Sequence, residues 1–185
     1  MTKLEEAVLY AAVSHAGTRR KGKSIPYILH PLEVMTIVGS ITENEDVLAA
    51  AVLHDTVEDT STTREDILRL FGARVAELVE AESENKREDQ RAEDTWQIRK
   101  QETIDHLKTA DRDAKLICLG DQLANLREIS RDYERVGETL WERFNQKDPS
   151  MHGWYYRSLF EVLEKEFPGT EAVEEYRMRL KRVFG

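Results

Sequence analysis

The sequence predicts an all-α protein, a compact multi-helix domain of roughly eight to ten helices with no substantial β-sheet. Three observations carry that expectation. Apolar residues recur at three- and four-residue spacing along most of the chain, β-branched residues rarely alternate with polar ones, and charged residues, 34% of the total, fill the intervening positions. With 185 residues the chain can bury most of its apolar surface without disulfides or a structural metal, so one domain over residues 1–185 is expected.

Leu4, Ala7, Val8, Ala11 and Ala12 form the stripe of a first helix that ends between His15 and Gly17. The basic run Arg19-Arg20-Lys21-Gly22-Lys23 follows as a loop. Pro31 suits the first turn of a second helix with Leu32, Val34, Met35, Ile37 and Val38 on its buried face, which puts His30 just before it. A third helix starts near Asp46 and continues through His54-Asp55, so that on a 100° repeat Asp55 lies near Asp59 and His54 near Glu58. Thr62-Thr63-Arg64-Glu65 resembles a capping box opening a fourth helix that stops at Gly72, and a fifth spans Arg74 to about Glu82.

Residues 84–95 carry five acidic and three basic side chains and predict a solvated loop or a frayed helix end. Helical pattern resumes from Trp96 to about Lys108. Asp111 or Asp113 can cap the next helix, whose stripe is Leu116, Ile117, Leu119, Leu123, Leu126 and Ile129. Further helices are expected near Glu134–Asn145, from Ser150 to Phe167, and after a Thr170 cap. Tyr155 and Tyr156, aromatics at helical spacing, fit a core, and His106 and His152 look solvated.

Thirty-six acidic against 27 basic residues leave a net charge of −9, which opposes general DNA or RNA binding and leaves a small anionic ligand held by a local basic patch or a metal. No segment has the roughly 20 apolar residues of a membrane span and no signal peptide is evident, so cytoplasmic residence without membrane association is expected. The single cysteine, Cys118, lies in an apolar helical stretch and reads as a buried, inert thiol.

A divalent ion needs a few hard or borderline donors converging on one point. His30, the pair His54-Asp55 and the distant Asp121 supply two imidazoles and two carboxylates, each beside an apolar helical stripe. Four such ligands leave open positions on an octahedral ion. Glu58 and Asp59 follow one turn later on the same broad polar face.

These residues resemble the HD-domain phosphohydrolases, and among them the hydrolase half of RelA/SpoT proteins and the small alarmone hydrolases. The resemblance covers roughly residues 5–130 and is carried by His15-Ala16-Gly17, Arg20-Lys21, Pro26-Tyr27-Ile28-Leu29-His30-Pro31, Leu53-His54-Asp55-Thr56-Val57-Glu58-Asp59-Thr60, Phe71-Gly72, and Lys115-Leu116 leading to Asp121 and Asn125-Leu126-Arg127. It implies an all-helical fold, one bound Mn²⁺, and hydrolytic removal of the 3′-pyrophosphate from guanosine tetra- or pentaphosphate to give GDP or GTP. In that family's terms His30, His54, Asp55 and Asp121 are the metal ligands, Glu58 and Asp59 the catalytic pair, and Arg20, Lys21 and Asn125 the substrate contacts. His15 would make a structural hydrogen bond and Tyr27 would pack beneath the basic loop. No synthetase half accompanies the motifs, so hydrolysis alone is implied.

The chain departs from the family pattern at two places. It has Gly120-Asp121-Gln122 where relatives usually carry alanine before the aspartate and lysine or arginine after it, and Val79-Glu80-Ala81-Glu82-Ser83 where many have Val-x-x-Val-Thr. Gly120 and Gln122 keep open an HD-type phosphatase acting on another nucleotide or phosphorylated metabolite such as NADPH. A nucleotide-binding regulator without turnover would be expected to lack a ligand or the Glu-Asp pair, and all six residues are present.

Overall fold

The computed structural model describes residues 1–83, 87 and 89–185. Its elements are α1 (Lys3–Ser14), α2 (Leu29–Gly39), α3 (Glu45–Leu53), α4 (Thr56–Asp59), α5 (Arg64–Phe71), α6 (Ala73–Glu82), α7 (Ala92–Thr109), α8 (Arg112–Val136), a 3₁₀ turn (Gly137–Arg143), α9 (Pro149–Glu166) and α10 (Glu171–Phe184). Among the described residues the one extended pairing is an isolated antiparallel bridge between Arg19 and Pro26. The fold is all-α, as the helical spacing predicts. No helix among the described residues is long and apolar enough to cross a membrane.

The chain divides into two compact units, Met1–Ser83 with Asp111–Ala124, and Glu84–Ala110 with Asn125–Gly185. In the first, α3 is the hub and packs against α1, α2 and α6. Val47 and every residue from Ala49 to Leu53 are fully buried, because three consecutive alanines leave room for neighbouring helices on more than one side. Thr2 caps α1 in a reciprocal box with Glu5, its Oγ1 accepting from the Glu5 N–H at 3.2 Å while its own N–H donates to Glu5 Oε2 at 2.8 Å.

Gly120 sets how closely the start of α8 approaches α2. A Cβ there would lie 2.8 Å from Val38 Cγ2 and 3.2 Å from both Cγ1 and the carbonyl oxygen of Val34, two fully buried residues. Its departure from the expected alanine therefore has a packing cause. Gly120→Ala is expected to lower stability by about 1–3 kcal/mol, reversing the ~1 kcal/mol that alanine ordinarily gains over glycine inside a helix. Urea denaturation checks this: the midpoint should fall and should partly recover in Gly120→Ala/Val38→Ala, whereas an unchanged midpoint would contradict the packing account.

In the second unit α9 packs against α7 and α10. Arg127 on α8 forms a two-pronged ion pair with Glu175 on α10, at 2.9 and 2.5 Å. Tyr176 donates its hydroxyl hydrogen to the Tyr156 carbonyl at 3.1 Å. Tyr155 and Tyr156 are both buried, which is the core reading. His152 is not solvated as expected: it is 5% exposed, its ring stacks on Trp141 at 5.0 Å, and Nε2 donates to the Gln146 carbonyl at 2.9 Å. Burial holds its pKa below the ordinary value, so it enters the aromatic cluster as a neutral ring.

Several boundaries differ from the sequence reading for local reasons. The box opening α5 is formed by Thr63 and Asp66, one residue later than the expected Thr62/Glu65 pair. Helix α7 begins at Ala92 rather than Trp96, because Arg99 folds back and donates to Thr95 Oγ1 at 3.2 Å and to the Ala92 carbonyl at 3.3 Å. Residues 84–86 and 88 of the expected charged loop lie outside the described residues. Asp111 caps the start of α8, its Oδ1 accepting from the Ala114 N–H at 2.9 Å. That helix runs on to Val136 and ends at Gly137, which adopts φ +59, so the expected helix over Glu134–Asn145 is instead a helix end followed by a 3₁₀ turn.

Candidate active site

The site lies in the first unit, where α2, the α3–α4 junction and α8 present their polar side chains. The Ala-Leu run of α3 continues without a glycine or proline, yet the helix stops at Leu53 and a short one restarts at Thr56, so His54 and Asp55 form a corner rather than a helical face. Two side chains account for the stop. His54 Nδ1 donates to the Ala51 carbonyl at 2.8 Å and Thr56 Oγ1 to the Leu53 carbonyl at 2.7 Å, each satisfying an acceptor that the helix end leaves open. The first of these bonds also fixes the imidazole: with Nδ1 carrying the hydrogen, Nε2 is the atom offered to the site.

His30 occupies the first turn of α2 rather than the residue before it. Its Nε2 lies 3.0 Å from Asp121 Oδ1 and 3.6 Å from Asp55 Oδ2. His54 Nε2 lies 3.0 Å from Asp55 Oδ2 and 3.7 Å from Asp121 Oδ1. Ligand atoms of His30, His54 and Asp121 all fall within 4.8 Å of one another, and Asp55 joins them through these contacts. Both imidazoles are almost fully buried, whereas Asp55 and Asp121 are 19% and 16% exposed, so the cluster opens on its carboxylate side.

The donor set fits a divalent cation. His54 Nε2 is buried and has no aligned hydrogen-bond partner despite its nearness to two carboxylates, as expected of lone pairs aimed at a common centre rather than at each other. Burial by itself would raise the Asp55 and Asp121 pKa values; the attraction of the His54 ring at Asp55, and of the His30 and His54 rings at Asp121, outweighs it and holds both below the usual carboxylate range. Burial likewise opposes a charge on His54, but Asp55 and Asp121 hold its pKa above the ordinary histidine value. The cluster thus demands compensating positive charge.

Gln122 donates from Nε2 to Asp121 Oδ2 at 2.7 Å and is itself buried. It orients the Asp121 carboxylate, leaving Oδ1 towards the histidines. Asn125 lies one turn beyond Asp121 on the same helix.

Glu58 and Asp59 sit on α4, Glu58 half-buried and Asp59 exposed. The basic loop between α1 and α2 is a tight hairpin in which Arg20 N–H donates to the Ile25 carbonyl at 3.2 Å and Tyr27 N–H to the Thr18 carbonyl at 3.0 Å. Half-buried Arg20 lies over the Tyr27 ring, 5.4 Å from its centroid, and Lys21 is exposed at the turn. The sequence predicts only packing beneath this loop for Tyr27. It does pack there, and its hydroxyl also faces Asp55 Oδ2 at 2.7 Å and Asp59 Oδ2 at 3.0 Å. Burial and the two carboxylates push the phenol pKa up, so it remains a donor. The His15 ring packs against that of Tyr27 with centroids 4.9 Å apart, and neither ring nitrogen has a partner among the described residues, so the expected structural hydrogen bond is replaced by ring packing.

Glu82, the last residue of α6, is the site residue with the weakest signal in the sequence. Burial first, then repulsion from Asp121, pushes its pKa up to about 8, with further repulsion from Asp55 and Glu58. A carboxyl near 4.5 in the unfolded chain and near 8 in the metal-free fold favours folding below pH 4.5 and loses that contribution as pH rises towards 8. Glu82→Gln, which cannot ionise, is expected to stabilise the metal-free protein by about 2 kcal/mol at pH 8, after discounting for partial exposure, and by little at pH 4.5. Thermal melts in chelator at the two pH values test this; equal effects at both would show that Glu82 does not feel the cluster.

An HD-domain family model matches residues 7–149. The guanosine-3′,5′-bis(diphosphate) 3′-pyrophosphohydrolase MESH1 of Danio rerio is 41% identical over 132 residues, covering 69% of this chain and 69% of that protein. Its Xenopus tropicalis counterpart is 42% identical over 130 residues, covering 68% and 69%. A solved structure of a metazoan SpoT ortholog that hydrolyzes ppGpp superposes with a TM-score of 0.73 at 30% identity, covering 100% of this chain and 94% of that one.

Proposed function

Since the chain belongs to the HD-domain family and shares over two thirds of its length with the 3′-pyrophosphohydrolases above, we propose that it is a metal-dependent hydrolase removing the 3′-pyrophosphate of guanosine tetra- or pentaphosphate to give GDP or GTP. The observation that carries this reading is the convergence of His30, His54 and Asp121 within 4.8 Å, with Asp55 beside them and the Glu58-Asp59 pair on the next turn. His30, His54, Asp55 and Asp121 would hold one divalent ion, Mn²⁺ in this proposal, and residues 1–185 would act as one hydrolase domain. Such an ion, when bound, supplies Lewis-acid polarisation of the phosphoryl group and acidifies water.

The protein's own groups then divide the remaining work. Water oxygen bonds to the 3′-phosphorus as the bond from phosphorus to the ribose 3′-oxygen breaks, and the 3′-oxygen leaves as a hydroxyl, taking up the proton that Glu58 removes from the water. Glu58 takes the proton of the attacking water and Asp59, fixed by Tyr27, holds that water in place. Arg20 and Lys21 neutralise the diphosphate charge that the chain's net charge of −9 would otherwise repel. Asn125 donates to the nucleoside.

The test is incubation of the purified protein with guanosine tetraphosphate with and without Mn²⁺, following GDP and pyrophosphate, with NADPH in parallel. Mn²⁺-dependent release of GDP and pyrophosphate supports the reading. Orthophosphate from NADPH with no turnover of the guanosine compound would overturn the substrate while retaining the metal chemistry.

A further inference from the structure

We infer that Tyr27 is a positioning residue for the hydrolysis, its single hydroxyl tying the ligand Asp55 to Asp59 and its ring seating Arg20 of the basic loop. The inference rests on the proposed metal-dependent hydrolysis. Four contacts carry it: the hydroxyl lies 2.7 Å from Asp55 Oδ2 and 3.0 Å from Asp59 Oδ2, and the ring lies 5.4 Å from the Arg20 guanidinium and 4.9 Å from the His15 ring.

The backbone around Tyr27 is itself fixed. Its N–H donates to the Thr18 carbonyl at 3.0 Å, and its own carbonyl accepts from the His30 N–H at 2.9 Å, so the residue is pinned between the hairpin and the turn carrying a ligand. One O–H shared by two carboxylates draws both towards a common point and sets the spacing between the corner at Asp55 and the exposed Asp59, which lies at the end of a four-residue helix. Without that bridge, the Asp59 carboxylate loses its bond to the Tyr27 hydroxyl, while its backbone N–H still donates to the Asp55 carbonyl at 2.9 Å. The aromatic face under Arg20 does separate work: it lets a half-buried guanidinium rest on a ring in a site otherwise dominated by carboxylates. Tyr27 thus touches the ligand set, the catalytic pair and the basic loop together.

The two roles separate by substitution. Tyr27→Phe keeps the ring and removes the hydroxyl, and should lower kcat about ten- to hundredfold with KM within about twofold, and weaken Mn²⁺ binding about tenfold in calorimetry without substrate. Tyr27→Ala should in addition raise KM, because Arg20 loses its seat. In a double-mutant cycle the kcat losses of Tyr27→Phe and Asp59→Asn should be markedly less than multiplicative, which a merely structural role would not produce. Helical circular dichroism of Tyr27→Phe should match the wild type; if that variant does not fold, the same coupling is read from Asp59→Asn Mn²⁺ affinity, which should shift because the shared hydroxyl is released towards Asp55. Unchanged kcat and Mn²⁺ affinity in folded Tyr27→Phe, or fully multiplicative losses, would overturn the inference. Failure of the wild type to bind Mn²⁺ would instead overturn the hydrolase reading beneath it.

Discussion

Asp55→Ala is expected to abolish metal binding and turnover together, with kcat falling about a thousandfold or more, some 4 kcal/mol of barrier. Asp55 Oδ2 is the atom that meets both histidines, 3.0 Å from His54 and 3.6 Å from His30, and it also accepts from the Tyr27 hydroxyl at 2.7 Å. Removing it leaves two imidazoles and one carboxylate, Asp121, which is too little negative charge and too few ligands for a hard divalent ion. The readout independent of activity is thermal stability. A ligand at a hundredfold its Kd stabilises the native state by about 2.7 kcal/mol, which for a chain of this size raises Tm by roughly 5–10 °C. Wild-type protein should show that rise with Mn²⁺, and Asp55→Ala should not. A variant that kept the full rise would remove Asp55 from the ligand set.

Much of this site is legible from residue order, and what is not has identifiable causes. His30, His54, Asp55 and Asp121 stand out because each polar residue adjoins an apolar helical stripe, which restricts where its side chain can point. The corner at His54-Asp55 does not stand out: Val47 to Leu53 and Thr56 to Asp59 match one continuous helix, and the break depends on His54 and Thr56 side chains bonding to carbonyls, an event that helical periodicity does not register. Tyr27 and Gln122 are hidden for a different reason. Each bonds to a partner that only tertiary packing or rotamer choice supplies, although their places, three residues before His30 and next to Asp121, are a usable hint. Glu82 closes a helix whose other buried positions are apolar, and a lone glutamate there reads as solvated until α6 is packed against α3. His152 shows the same limit in the second unit, where a histidine in a mixed polar stretch is the centre of an aromatic cluster.

Glu58→Gln is expected to keep the metal and lose the reaction, with kcat down about 10²- to 10⁴-fold and the Mn²⁺-dependent rise in Tm retained. The structure distinguishes the two members of the pair by their bonds. Asp59 Oδ2 accepts from the Tyr27 hydroxyl at 3.0 Å and Asp59 is the more exposed of the two; Glu58 is half-buried and near enough to Glu82 to repel it. The bond to Tyr27 suits Asp59 to holding the water and assigns the proton transfer to Glu58, and the amide introduced by Glu58→Gln keeps the shape while removing that capacity. Asp59→Asn should therefore cost less than Glu58→Gln, because an amide still orients water through its carbonyl oxygen. Single-turnover hydrolysis together with Mn²⁺ titration measures both effects in the same samples. Equal loss of metal in Asp55→Ala and Glu58→Gln would merge the two groups into one ligand set, and a larger loss in Asp59→Asn than in Glu58→Gln would move the proton acceptor to Asp59.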